Sequence, residues 1–300
     1  MAWTKFPYPE DEYVYTAASL KKAWPRLHIG DAEPLPKDAA LVQAWIAFHA
    51  GDFEKAAKLG LEAGVAGYSV AHKAICIYAT YLEEDEKKRI ATFEEVANRC
   101  EEQQAEQPEN ANAYYWHAYA LGRYAQGISV VKALSLGIAK KVKTSLDKAL
   151  ELAPKHADAH IALGAYHAEI IDAVGSMIGS MTYGVKKEEG YKKFKAALEL
   201  NPNSAIARIE YANALLKLDG KKKMDDAVAL YEEAAECEAK DAMERLDVEA
   251  AKDLCVLRGI CWCGGCLRTS GAWLGGGDGR TPNWLGVWRW PLRFDGYSGR

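Results

Sequence analysis

Between residues 38 and 254, apolar positions recur at the three- and four-residue spacing of helices that bury one face. Ala227, Tyr231 and Ala234 sit at i, i+4 and i+7, as do Val142, Leu146 and Ala149, and Gly190, Phe194 and Ala197. Each triplet lies along one side of a helix, so each segment is predicted to be a helix with a narrow apolar face. The small members let a neighbouring helix come close, and the large central residue fills the space between. Gly-Asp-Phe at 51–53 and prolines at 154 and 202 punctuate the pattern, marking turns between helices.

The pattern also repeats. ALELAPKHADAH at 149–160 returns as ALELNPNSAIAR at 197–208, an offset of 48 residues. Each copy ends one helix, turns at its proline and starts the next, with the proline suited to a first helical turn. The following helices carry Leu163-Gly164 and Tyr211-Ala212, where a neighbour must approach. An earlier copy at 40–63 holds Ala44, Gly51-Asp52-Phe53, Ala56 and Ala63, and a degenerate one at 67–108 holds Ile90, Phe93, Ala97 and Cys100. These features resemble the tetratricopeptide repeat: a Leu-Gly-like pair in helix A, Ala-x3-aromatic-x2-Ala in helix B and a closing proline. The resemblance implies an all-α fold, a right-handed α-solenoid of about five such helical hairpins with a C-terminal capping helix. The expected division is an N-terminal cap segment at 1–36, the solenoid at 37–256 and a separate tail at 257–300. Met243, Leu246 and Ala250 give the capping helix its apolar stripe, and Tyr13, Leu20 and Trp24 are expected to cover the other end. Copies three (110–154) and four (156–202) exceed the usual length of about 34 residues. Their apolar inserts, 126–137 and 173–184, make this long form weakly similar to the repeats of microtubule-dynamics regulator proteins.

Composition narrows the function. The net charge is −4, with 27% charged residues, so no electrostatic case exists for nucleic acid as a partner. The N-terminal residues are acidic and contain prolines, unlike a secretory signal. The three cysteines of the helical body, Cys76, Cys100 and Cys237, are isolated in sequence, as expected in a reducing cytoplasm. Past residue 256, Lys and Glu vanish and Gly, Trp and Arg take over, as in a GC-rich gene read out of frame. Cys255, Cys261, Cys263 and Cys266 crowd four thiols into twelve residues without a second, separate knuckle, so no metal is expected there. Phosphate loops, nucleophile elbows and zinc-protease helices are missing from the sequence, so neither enzyme activity nor a cofactor is expected.

The resemblance places the A helices on the concave face. That puts Tyr115, Tyr119 and Arg123 from copy three there, with Ile161, Ala165 and Glu169 from copy four and Ile209, Asn213 and Lys217 from copy five. Tyrosines beside Arg, Lys and Asn suit a groove for a peptide or partner protein, since Tyr and Arg carry much of the energy of such interfaces. The dense cluster Tyr114, Tyr115, Trp116 and Tyr119 reads equally as core between repeats. Tetratricopeptide proteins that clamp acidic chaperone tails use lysine and asparagine where copy three has tyrosines, which argues against that ligand. The insert at 173–184 has three readings. Its uncharged run of about 13 residues is too short for a membrane span, which needs about 20. The favoured reading is a buried extension of helix A over the concave mouth. The others are a pocket for a small apolar ligand lined by Met177, Ile178, Met181 and Tyr183, and membrane contact. His160 and His167, seven apart on one face, are separated by about 10 Å along the axis, too far for one metal. Both occupy packing positions of the repeat, so they read as core histidines. Acidic runs at 83–86 and 101–102 and the lysines at 221–223 read as solvated surface.

Overall fold

Every hairpin expected from the pattern is present in the computed structural model, which describes residues 3–257. The helices are α1 (Ala17–Leu27), α2 (Ala39–His49), α3 (Phe53–Glu62), α4 (Tyr68–Tyr81), α5 (Glu86–Glu106), α6 (Ala111–Gly127), α7 (Val130–Ser135), α8 (Ile138–Leu152), α9 (Ala157–Val174), α10 (Ser176–Tyr183), α11 (Lys187–Leu200), α12 (Ala205–Asp219), α13 (Met224–Ala235) and α14 (Ala242–Leu257). The described residues contain no strand. Helices pair in chain order: α2 with α3, α4 with α5, α6 with α8, α9 with α11, and α12 with α13. The short α7 and α10 are the two inserts. Chemistry visible in the sequence starts most of these helices. Asp38, Asp52, Asp85, Asn110, Ser129 and Ser204 each accept a hydrogen bond from a backbone N–H of the turn they open.

The small-large-small triplets form the seams. Leu146, Ala149, Phe194, Ala197, Ala227, Tyr231 and Ala234 have no solvent exposure. Gly164 faces the Phe194 ring so closely that an added Cβ would lie 2.9 Å from it. Pro154 and Pro202 lie in the turns, two residues ahead of the N-caps His156 and Ser204, and outside the first helical turn where the sequence had suggested them. The reason is that the His156 ring and the Ser204 hydroxyl already satisfy the first free N–H groups, leaving the proline to shape the turn.

The cap helix α14 packs on α13 and α12 as expected, but it has a second partner. His49 Nδ1 lies 2.8 Å from Asp241 Oδ2, Arg26 Nη1 lies 2.6 Å from Glu244 Oε1, and Tyr15 donates to the Lys240 carbonyl at 2.8 Å. The Tyr81 hydroxyl donates to the Asp247 carboxylate. The N-terminal cap and the C-terminal cap therefore meet each other, where the sequence suggested two separate ends. Ala242 and Leu246 of α14 join the same apolar core as Tyr13, Leu20 and Trp24, while the polar partners are single pairs with some 165 to 225 residues of chain between them. The polar pairs leave no periodic trace in the sequence.

The second insert differs from the favoured expectation. Gly175, at φ +82°, ends α9 in a backbone conformation that a side chain would strain, so α10 is a separate helix and not an extension. Only Gly179 of α10 is buried, against Val185, Ile170 and Ile171. The tail assigned to 257–300 lies, from residue 258 on, outside the described residues.

Candidate binding cavity

The inner helices α4, α6 and α9 line a cavity of about 950 Å³, which α14 and the segment after α1 bound on another side. That volume is at the upper end of the range for ligand pockets. Apolar walls come from Ile77, Phe93, Ile138, Val142, Leu146 and Ile170, and the first insert adds Ala133 and Leu134. The exposed Glu84, Glu86 and Glu238 also border it, so its rim is acidic.

At its base, α4 carries a single charged side chain, Lys73, which is 1% exposed. Its ammonium lies 2.5 Å from Asp31 Oδ2 and over the rings of Phe48 and Trp45, at 5.2 and 5.7 Å from their centres. Burial alone would raise the Asp31 carboxyl. Lys73 and His28 outweigh it and hold the group well below the usual carboxylate range. His28 contributes Nδ1 at 2.9 Å from Asp31 Oδ1, and burial pushes its pKa down to about 4, so the neutral ring donates. Asn112 donates to the Asp31 carbonyl at 3.0 Å and to Glu33 at 2.6 Å, and its side-chain oxygen lies 3.0 Å from His156 Nε2. Burial raises Glu33 to about 8.

Further in, the Tyr119 hydroxyl lies 2.8 Å from Thr80 Oγ1, and the Arg123 guanidinium sits 5.1 Å from the centre of the Tyr119 ring. Arg123 reaches Glu210 at 4.0 Å, and Lys217 pairs with Glu169. Burial raises Glu210 to about 7 and raises Glu169 as well, in each case against the pull of the neighbouring cation. Asp158, in the first turn of α9, also lines the cavity. Burial and the nearby Asp31 carry it up to about 7.

Five of the seven expected groove residues, Tyr115, Tyr119, Arg123, Ile161 and Glu169, share this cavity wall, as does Ala165. The other two lie behind it. Asn213 accepts a hydrogen bond from Tyr231 at 2.5 Å inside the last hairpin, and Lys217 pairs with Glu169 of the cavity wall. Ile209 is core. Tyr115 and Trp116 act both as wall and as packing between repeats, being 6% and 3% exposed, while Tyr114 points away and donates to the Pro108 carbonyl. The four residues suggested for an apolar pocket lie outside this cavity: Met177, Ile178 and Met181 are 75%, 53% and 83% exposed, and neither they nor the half-buried Tyr183 lines it. Gly175 turns their helix outward. His167 is core and accepts from the Lys186 N–H, while His160 is half-exposed and lies 3.0 Å from the Pro154 carbonyl. Cys255 is buried in α14; Cys261, Cys263 and Cys266 lie outside the described residues.

Sequence reasoning missed Asp31, Lys73, Asp158, Glu210 and Asp247. One signal was available. Lys73 is the sole charge in the otherwise apolar or neutral α4, and such a lysine needs an acidic partner.

No described helix is long and apolar enough to cross a membrane. No curated protein sequence matches the chain. Among solved structures, TTC0263, a thermophilic tetratricopeptide protein of Thermus thermophilus, is similar with a TM-score of 0.50 at 16% identity, covering 71% of this chain and 97% of that one. YrrB, a tetratricopeptide protein with an unusual peptide-binding site, reaches a TM-score of 0.37 at 16% identity, covering 79% and 100%, too distant to bear on the site. The first likeness shows the tetratricopeptide-like α-solenoid fold. Residues 68–257, from α4 through α14, match the family described as Regulator of microtubule dynamics protein 1-3, and the chain belongs to that family.

Proposed function

We propose that the chain is a non-catalytic, cytoplasmic interaction scaffold that receives an extended segment of a partner protein in the cavity between its A helices. The carrying observation is convergence: Tyr115, Tyr119, Arg123, Ile161 and Glu169, from two successive A helices, face one space of about 950 Å³. Tyrosine and arginine are the side chains that dominate protein interfaces. Its described cysteines, Cys76, Cys100, Cys237 and Cys255, are free thiols, in keeping with a reducing compartment. Family membership makes the microtubule machinery the first place to look for the partner. A photo-reactive amino acid at Ile161, on the cavity wall, tests the reading in cells. Mass spectrometry of the adduct should find a peptide of another protein, and Tyr119→Ala should abolish it. An adduct with no peptide attached would refute the proposal.

Carriage of a small apolar ligand is the second reading, and the apolar wall of Phe93, Val142, Leu146 and Ile170 favours it. The cavity, and not α10, would then hold the ligand. Native mass spectrometry of the purified chain separates the two: a retained small molecule, lost on filling the cavity through Ala165→Trp, supports carriage.

A further inference from the structure

We infer that the cavity is built for a cation, holding a lysine or arginine side chain of the partner segment against Asp158 of α9 and Asp247 of α14, with the Tyr115 hydroxyl as a further acceptor. The inference rests on the reading of the cavity as a peptide site. Asp158 makes no hydrogen bond or ion pair through its carboxylate to any described residue, and it lines the cavity. Tyr115 is 6% exposed, yet its hydroxyl has no partner among the described residues and it too lines the cavity. Both groups open onto the cavity without a protein partner among the described residues, where an occupant can pair with them.

Charge points the same way. Ten carboxylates line the cavity and its rim against three basic residues, Lys73, Arg89 and Arg123. Lys73 is committed to Asp31, and Arg123 to Tyr119 and Glu210. Asp158 faces Asp31, Glu244 and Lys73; Asp247 faces Tyr81, Glu244, Asp158 and Asp241. Burial first, then these acidic neighbours, lift Asp158 to about 7 and raise Asp247 strongly against the bond from Tyr81. An incoming cation relieves that repulsion, so binding near pH 7 releases protons. Tyr115, Tyr119 and Tyr166 add aromatic faces on which a guanidinium can lie.

The probes are four peptides, acetyl-Ala-Leu-Xaa-Leu-Ala-amide, with Xaa arginine, lysine, citrulline or glutamate, titrated into the full chain by calorimetry in two buffers of different ionisation enthalpy. Arginine and lysine peptides should bind about tenfold or more tighter than the citrulline and glutamate ones, as charge-assisted hydrogen bonds do, and should release protons. Asp158→Asn should erase most of that preference while circular dichroism shows an intact fold, and the exposed Asp147→Asn should leave it unchanged. Equal binding of the arginine and citrulline peptides would overturn the cation inference and leave the peptide site standing. A preference that survives Asp158→Asn would overturn the assignment as well. Failure of all four to bind would remove the peptide site itself, and this inference with it.

Discussion

Replacing Lys73 by methionine removes one charge from the base of the cavity while keeping a chain of similar length against Trp45 and Phe48. Asp31, with its side chain 1% exposed, then loses its only full counter-charge and keeps the neutral His28. Breaking a buried pair from one side typically costs about 3–5 kcal/mol, because the remaining charge stays desolvated. Against a total stability of about 5–15 kcal/mol for a domain, that loss is easily read from urea unfolding. Its pH dependence carries the sharper test. In the native protein the Asp31 carboxyl lies below its unfolded value, so its contribution is present above about pH 4 and fades as pH falls through the folded value. Without Lys73, burial dominates and the folded value rises above the unfolded one. The contribution is then full below about pH 4 and lost as pH climbs through the new value. The deficit of Lys73→Met should therefore be largest at pH 7 and shrink at pH 5. Lys73→Met/Asp31→Asn should regain about half or more of the loss. A deficit under about 1 kcal/mol at both pH values would mean that cavity water solvates Asp31 well enough to replace the lysine, and the reasoning would fail.

Asp241→Ala removes the cap of α14, whose Oδ1 accepts from the Glu244 N–H at 2.8 Å, together with the partner of His49. It should cost about 2–4 kcal/mol and speed amide exchange in α2 as well as in α14. Faster exchange confined to α13 and α14 would mean that the two ends do not support each other. Asp158→Asn should match the native protein near pH 4 and exceed its stability at pH 8 by up to about 3 kcal/mol, because a carboxyl raised to about 7 is unfavourable once ionised. Thermal melts across that range decide it, and equal melting at pH 8 would contradict the raised value. At Gly67 an added Cβ would lie 2.2 Å from the Gly60 carbonyl oxygen, backbone that cannot swing away, so Gly67→Ala should lower stability by about 3 kcal/mol or more. Gly122, inside α6 with open space around it, should gain about 0.5–1 kcal/mol on replacement by alanine. Chemical denaturation of both variants checks the pair.

How far the site could be read from the sequence follows from what each residue type advertises. Tyr115, Tyr119, Arg123, Ile161 and Glu169 were legible because their places follow from helical period and repeat phase. Asn213 and Lys217 occupy equivalent places in the last copy, yet they do not line the cavity: Tyr231 engages Asn213, and Lys217 pairs with Glu169. The α10 residues were misplaced for a simpler reason. Met177, Ile178 and Met181 are apolar, and apolarity alone favours burial, but Gly175 redirects the backbone before any of them can reach the interior.

The amino-acid sequence alone determined the hairpins, their order and their seams, since these depend on contacts three, four and about forty residues apart that repeat along the chain. Only the tertiary structure decided that the two ends meet and that the concave side becomes a cavity. That closure combines Ala242 and Leu246 of α14, buried in the core they share with the N-terminal helices, with single polar pairs formed across most of the chain, His49 with Asp241, Arg26 with Glu244 and Tyr81 with Asp247. One-off pairs between distant residues have no period, so their partners exist only once the helices have stacked.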